Sequence, residues 1–168
     1  MPAAKQSGFP PLALQCRLSS AFIRPARASD IPTCIAIRGM TRENAISEAR
    51  LSELGITVAS WGEQVASGAL LGYVFEPVER VAGYCFGDVS TGEIVVLALR
   101  PEFEGRGVGR ALLHHTMLSL QILGHVRLFL GCSNRPEVRS FGFYRHLGWR
   151  PTGRVDKYGD QELEYRFG

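Results

Sequence analysis

The stretch from Glu93 to Leu113 constrains this chain more than any other. After Glu93 comes Ile-Val-Val-Leu-Ala-Leu99, apolar at nearly every position, which predicts a strand buried on both faces. Pro101 ends the run, and Glu104-Gly-Arg-Gly-Val-Gly109 follows. From Val108 to Leu123 the apolar residues return at helical spacing, and Gly124 closes that helix. Glycines at 105, 107 and 109 let the backbone approach a ligand closely, because no Cβ intervenes. The unpaired N–H groups of the helix start face outward, and the helix dipole favours negative charge there. Arg106 and Arg110 add positive charge, so the segment reads as a pyrophosphate cradle. The alternative is a plain tight connection between strand and helix.

The nature of that pyrophosphate is narrowed by what is missing. No Gly-Lys-Ser/Thr follows, which rules out a P-loop, and Arg110 stands where a Rossmann fingerprint needs its third glycine. A net charge of only +3 suits a mildly basic ligand site and falls short of a nucleic-acid footprint. No apolar run approaches the roughly 20 residues that span a bilayer, so no membrane association is expected. The four cysteines include no Cys-x-x-Cys pair and lie at no metal-ligand spacing with the histidines; free thiols in a reducing cytoplasm, and no metal, are expected.

The rest of the chain reads as a single domain over residues 21–168, after a Pro/Gly-containing segment over 1–20 that predicts a mobile tail and lacks the pattern of a signal peptide. A short strand over 21–25 precedes a helix capped by Asp30 that runs toward Met40. Thr41-Arg-Glu-Asn44 forms a joint, Ile46 to Leu54 resumes helical spacing, and Thr57 caps a third helix that ends near Gly68. Strands are expected over 69–75 and 80–86, around a hairpin-like Glu76-Pro-Val-Glu79, and again over 127–131. A last helix opening at Pro136 and closed by Gly148 precedes two final strands. The order β, helices, β-β-β, α, β, α, β-β predicts an α/β (α+β) protein built on a mixed sheet with helices on its faces.

Four segments, taken in order, resemble the GNAT acetyltransferase superfamily. Glu104-Gly-Arg-Gly107-Val-Gly109 resembles its Gln/Arg-x-x-Gly-x-Gly/Ala coenzyme A signature, with a departure at the first position. Glu93-Ile-Val-Val-Leu-Ala-Leu99 resembles its fourth strand, Val81-Ala-Gly-Tyr84 its third, and Phe143-Tyr-Arg-His-Leu-Gly-Trp149 its Phe-Tyr-x-x-x-Gly-Phe/Trp segment. Arg42-Glu43-Asn44 and Arg139-Ser-Phe-Gly-Phe-Tyr144 are similar to stretches of a bacterial subgroup.

The resemblance implies a mostly antiparallel mixed sheet of about seven strands, splayed between the fourth and fifth, often with the help of a bulge. It implies acetyl-CoA as co-substrate, its pantetheine arm bonded to the backbone of Leu97, Ala98 and Leu99 like an added strand. The pyrophosphate would meet Gly105, Arg106, Gly107, Val108, Gly109 and Arg110. The implied reaction is direct attack by a primary amine, of a small molecule or a peptide, within a ternary complex. A regulatory module that holds coenzyme A without turnover is the alternative.

Glu93 matches the family's base glutamate; the alternative is a strand-end carboxylate facing water. Tyr144 matches the tyrosine that protonates the departing thiolate; the alternative is a core aromatic sharing a helix face with Phe141. Glu43 and Asn44 are expected at the acceptor pocket, with Glu43 also an alternative base, or else as part of a solvated joint; Asp88 is a further acceptor-side candidate. Many members place an asparagine seven residues before the tyrosine, where this chain has Glu137, with Asn134 three residues away. A homodimer is among the expected assemblies, since members of the family are often dimeric.

Overall fold

The computed structural model describes residues 20–168; the tail expected over 1–20 lies, but for Ser20, outside the described residues. The elements run β1 (Ile23–Pro25), α1 (Ile31–Arg38), α2 (Glu48–Glu53), α3 (Val58–Ser67), β2 (Leu70–Phe75), β3 (Gly83–Asp88), β4 (Ile94–Leu99), α4 (Val108–Ile122), β5 (Arg127–Cys132), α5 (Arg139–His146), β6 (Arg150–Val155) and β7 (Gln161–Arg166). The order of helices and strands is the one the sequence predicts.

Two antiparallel sheets result, β1-β2-β3-β4 and β5-β7-β6. They meet where β4 and β5 begin, through one parallel bridge between Glu93 and Phe129, whose N–H donates to the Gly92 carbonyl at 3.2 Å. Just beyond that bridge the register of β3 against β4 slips: Gly87 pairs with Ile94 and Phe86 with Val96, so Val95 is an extra residue. A bulge of this kind bends and twists its strand. Here it turns β4 away from β5, and the two strands diverge.

The helices cover both faces. Val108, Leu112, Leu113 and Leu120 of α4 pack against Cys85, Ile94, Leu128 and Leu163. Ile31, Ile35 and Ile37 of α1, Leu51 of α2 and Trp61 of α3 pack against Val74, Tyr84, Phe86 and Ala98 on the opposite face. Because β4 leaves its neighbour, its expected burial on both faces holds only for Ile94 and Ala98, while Val95, Val96, Leu97 and Leu99 are half-buried.

Three local expectations are corrected, two of them by tertiary partners. Asp30 does not cap α1: a 3-10 turn over Ala28–Asp30 precedes the helix. Its carboxylate instead accepts the Arg27 N–H at 2.8 Å and both arms of Arg24 at 2.9 Å, while Arg24 also reaches Glu76. Burial alone would raise the Asp30 carboxyl; the Arg24 guanidinium holds it below its ordinary value. The third strand starts at Gly83 rather than Arg80, because the chain turns through a positive φ at Glu79. The last helix starts at Arg139 rather than Pro136, since its first N–H is capped from a distant loop by Glu43.

β2 and β3 approach closely at Gly72. A Cβ there would sit 2.1 Å from the Cys85 carbonyl oxygen and 2.3 Å from the Phe86 ring. Gly72→Ala is therefore expected to cost about 2–3 kcal/mol through forced backbone movement, read as a lower urea midpoint at unchanged m-value.

Candidate functional site

The divergence of β4 from β5 opens a cleft of about 500 Å³. One wall is β4 from Ile94 to Leu99; the other is the end of β5 from Leu130 to Ser133, backed by Phe143 and Tyr144 of α5. Among the described residues β4 is the edge of its sheet, so beyond the bulge its outward N–H and C=O groups have no neighbouring strand there. A half-buried edge of this sort favours a ligand that supplies amide partners in extended form. Leu97, Ala98 and Leu99 all lie on it, and Leu97 and Leu99 also pack into the core.

The β4 edge leads to the glycine loop. Gly105 and Gly107 both have positive φ, 72° and 79°, and Gly107 occupies the N-cap of α4, with no side chain capping the helix. The first N–H groups of a 15-residue helix, at Val108, Gly109 and Arg110, thus face the cleft without a protein cap. Gly105, Gly107, Val108, Gly109 and Arg110 line the cleft. Arg106 does not; its guanidinium carbon lies 5.7 Å from the centre of the Phe103 ring. The arrangement matches what a diphosphate ester with an amide-bearing arm needs, which is the chemistry of coenzyme A.

Glu104, the unusual first residue of the loop, has a specific task. Its carboxylate accepts from Arg42 of the α1–α2 joint at 3.0 Å and from Arg139 of α5 at 2.9 Å. Glu43 completes the arrangement by accepting the Arg139 N–H at 2.8 Å. Three segments far apart in sequence are so tied together at one end of the cleft. Glu43 does line the cleft, yet its carboxylate is engaged as a helix cap; Asn44 lines it with a left-handed backbone, φ 61°. Asp88 lies outside the lining. Its Oδ1 accepts from the Ser90 N–H and hydroxyl and the Thr91 N–H, at 2.8, 2.6 and 3.0 Å, which makes it the staple of the β3–β4 turn. Asp-Val-Ser-Thr-Gly is a side-chain-stapled turn pattern that the sequence already carried. Glu137 is ion-paired with Arg135 and does not line the cleft.

Tyr144 is half-buried in the cleft wall, its ring 6.0 Å from that of Trp149 and 5.0 Å from that of Phe143. Burial pushes its phenol above the ordinary value, so it stays protonated at neutral pH and is available as a donor. Glu93 stands at the closed end, on the bridge to Phe129, one residue short of the lining that begins at Ile94. Burial, then repulsion from Asp88 and Glu162, pushes its carboxyl up.

Two charged residues of the cleft were not singled out from sequence. Asp160, in the β6–β7 hairpin, has its carboxyl raised by burial and by Asp156. Arg38, at the end of α1, is half-buried. Each reads locally as routine, the first as a turn aspartate and the second as a basic residue at a helix C-terminus. Only the packing of α1 and of the hairpin brings them to the cleft.

A family model described as an acetyltransferase (GNAT) domain matches residues 65–151, more than half of the chain. Over 74 residues, 43% of this chain, the sequence is 36% identical to a mycothiol acetyltransferase of Beutenbergia cavernae, a match that spans 24% of that relative's length. The fold is similar to that of the PaiA N-acetyltransferase of Thermoplasma acidophilum solved with coenzyme A, at a TM-score of 0.69 and 18% identity, covering 86% of this chain and 98% of that one. An N-acetyltransferase of Staphylococcus aureus Mu50 gives a TM-score of 0.68 at 18% identity, with 86% and 96% covered. A ribosomal-protein-alanine N-acetyltransferase of Brucella melitensis gives 0.66 at 20% identity, with 86% and 99% covered.

Proposed function

The chain belongs to the GNAT acetyltransferase family, and from that premise we propose that it is a cytoplasmic, acetyl-CoA-dependent N-acetyltransferase that acts on a primary amine by direct attack within a ternary complex. One observation carries the reading: the unpaired edge of β4 runs past its bulge into a loop that ends at the uncapped N-terminus of α4. Amide partners and an anion site are thus arranged in series along one cleft, in the order in which pantetheine and diphosphate follow each other in coenzyme A. The similarity to a mycothiol acetyltransferase of Beutenbergia cavernae also supports acetyl transfer as the reaction.

Chemistry in this geometry needs a proton removed and a proton supplied. An alkylammonium acceptor has a pKa near ~10 and must lose a proton before its nitrogen can attack the thioester carbonyl. Glu93 takes that proton through a water at the closed end of the cleft, where its raised pKa makes it a better base than an ordinary carboxylate. The nitrogen–carbon bond forms as the carbon–sulfur bond breaks; the Tyr144 hydroxyl donates to the departing thiolate, and the second proton released by the acylated nitrogen restores the phenol. Glu43 is assigned a positioning task, holding the joint to α5.

Three outcomes test this. Acetyl-CoA at a hundredfold excess over Kd is expected to raise Tm by about 5–10 °C, and Gly107→Val, strained at φ 79°, to lose that rise while the protein remains folded. No rise with the unaltered chain would remove the coenzyme assignment. Tyr144→Phe is expected to lower kcat about a hundredfold with little change in the KM for acetyl-CoA; equal losses in both would make Tyr144 a packing residue. The Glu93 carboxyl must be ionised to act, so kcat/KM should fall as pH drops through a value above the usual carboxylate range. Glu93→Gln should erase that limb and Asp160→Asn should keep it; the reverse pattern would give the base to Asp160.

A further inference from the structure

Of the four arginines that line the cleft, Arg42 and Arg139 share the Glu104 carboxylate, and Arg110 stands in the first turn of α4. Arg38 has no ion pair among the described residues. One guanidinium N–H donates to the Asn44 carbonyl of the left-handed joint. The group is half-buried, and burial pulls its pKa down. A cation withdrawn from water without a counter-charge is costly, and proteins usually provide a partner.

A second, independent observation lies beside it. The Thr41 hydroxyl, in the same cleft wall, is buried without a hydrogen-bond partner among the described residues. Buried hydroxyls are rarely left unsatisfied. A guanidinium without a carboxylate and a hydroxyl without an acceptor, both in the cleft wall, describe half of an anion site.

The coenzyme's diphosphate does not fill it. The glycine loop heads α4, which packs on one face of the sheet, whereas α1 and Tyr84 belong to the core on the other. Tyr144 lines the same cleft as Arg38, so an anion bound there shares the cleft with the expected reacting centre. Carboxylates for the amine end, Asp160 in the cleft and Glu93 at its closed end, complete a pair of opposite charges.

We propose that the acceptor is a small amine that carries its own carboxylate, an amino-acid-like zwitterion whose carboxylate is held by Arg38 with Thr41. The assignment rests on the acetyltransferase reading and adds the substrate class to it. It separates this chain from enzymes that acetylate a peptide N-terminus, where the carboxylate is replaced by a neutral amide.

The test pairs each standard amino acid, β-alanine and 4-aminobutyrate with its own carboxamide in a thiol-release assay with acetyl-CoA. At least one acid should be acetylated with kcat/KM about tenfold or more above its carboxamide. In Arg38→Met the preference should shrink to within about threefold through a raised KM for the acid, with the KM for acetyl-CoA unchanged; Arg38→Lys should restore part of it, and Thr41→Val should weaken it less. Carboxamides, alkylamines or peptides acetylated as well as the acids would overturn the proposal and leave the acetyltransferase reading standing. So would a preference that survives Arg38→Met, or a raised acetyl-CoA KM in that variant, which would give Arg38 to the coenzyme. If no amine releases thiol, the acetyltransferase reading fails. The acceptor site is then read by binding: an acid that raises the Tm of the coenzyme A-loaded protein, but not of its Arg38→Met form, supports it, and no such rise overturns it.

Discussion

Everything in the cleft depends on the way β4 and β5 part company. The two sheets share one parallel bridge, Glu93 to Phe129, and the extra residue Val95 then redirects β4. A sheet edge left unpaired inside a protein is normally a liability, since each exposed N–H and C=O seeks a partner. Here the edge is kept short, flanked by α4 on one face and α1 on the other, and open only toward the cleft. The same divergence explains why a strand as apolar as Ile94–Leu99 is only half-buried at four of its six positions.

A wedge of this kind needs its open end held in place, and the chain does so with charge rather than apolar area. Glu104 gathers Arg42 and Arg139, and Glu43 caps α5. Exposed ion pairs contribute little stability, typically under about 1 kcal/mol each. Their worth here is positional: they link the glycine loop, the α1–α2 joint and the first turn of α5, which together frame the place where a diphosphate would enter. The departure of Glu104 from the family's Gln/Arg is thereby explained as half of a local charge arrangement, matched by arginines from elsewhere in the chain.

Much of the fold was legible in the sequence because it follows from local rules. The Thr57 cap of α3 forms a reciprocal capping box with Ser60, and Gly107 adopts the positive φ that its place between strand and helix demands. Apart from the start of β3, which follows a local positive φ at Glu79, the corrected expectations share one cause, a distant partner. Asp30 is drawn from capping α1 by Arg24, and the start of α5 is set by Glu43, 96 residues away. The candidate site divides along the same line. The glycine loop and Tyr144 were legible from contiguous residues, whereas Arg38 and Asp160 look unremarkable until α1 and the β6–β7 hairpin are folded against the cleft.

By itself, then, the sequence determined the order of elements, the glycine loop and the family, because apolar periodicity, turn residues and backbone freedom act over a few positions. Tertiary structure alone decided which charges are spent and which remain. Glu43 is consumed by a helix cap and Arg42 and Arg139 by Glu104, while Arg38 is left half-buried in the cleft without a carboxylate among the described residues. The physical reason is that a side chain's charge acts across a few ångströms of space, and the partners that meet it come from segments that the linear order keeps far apart.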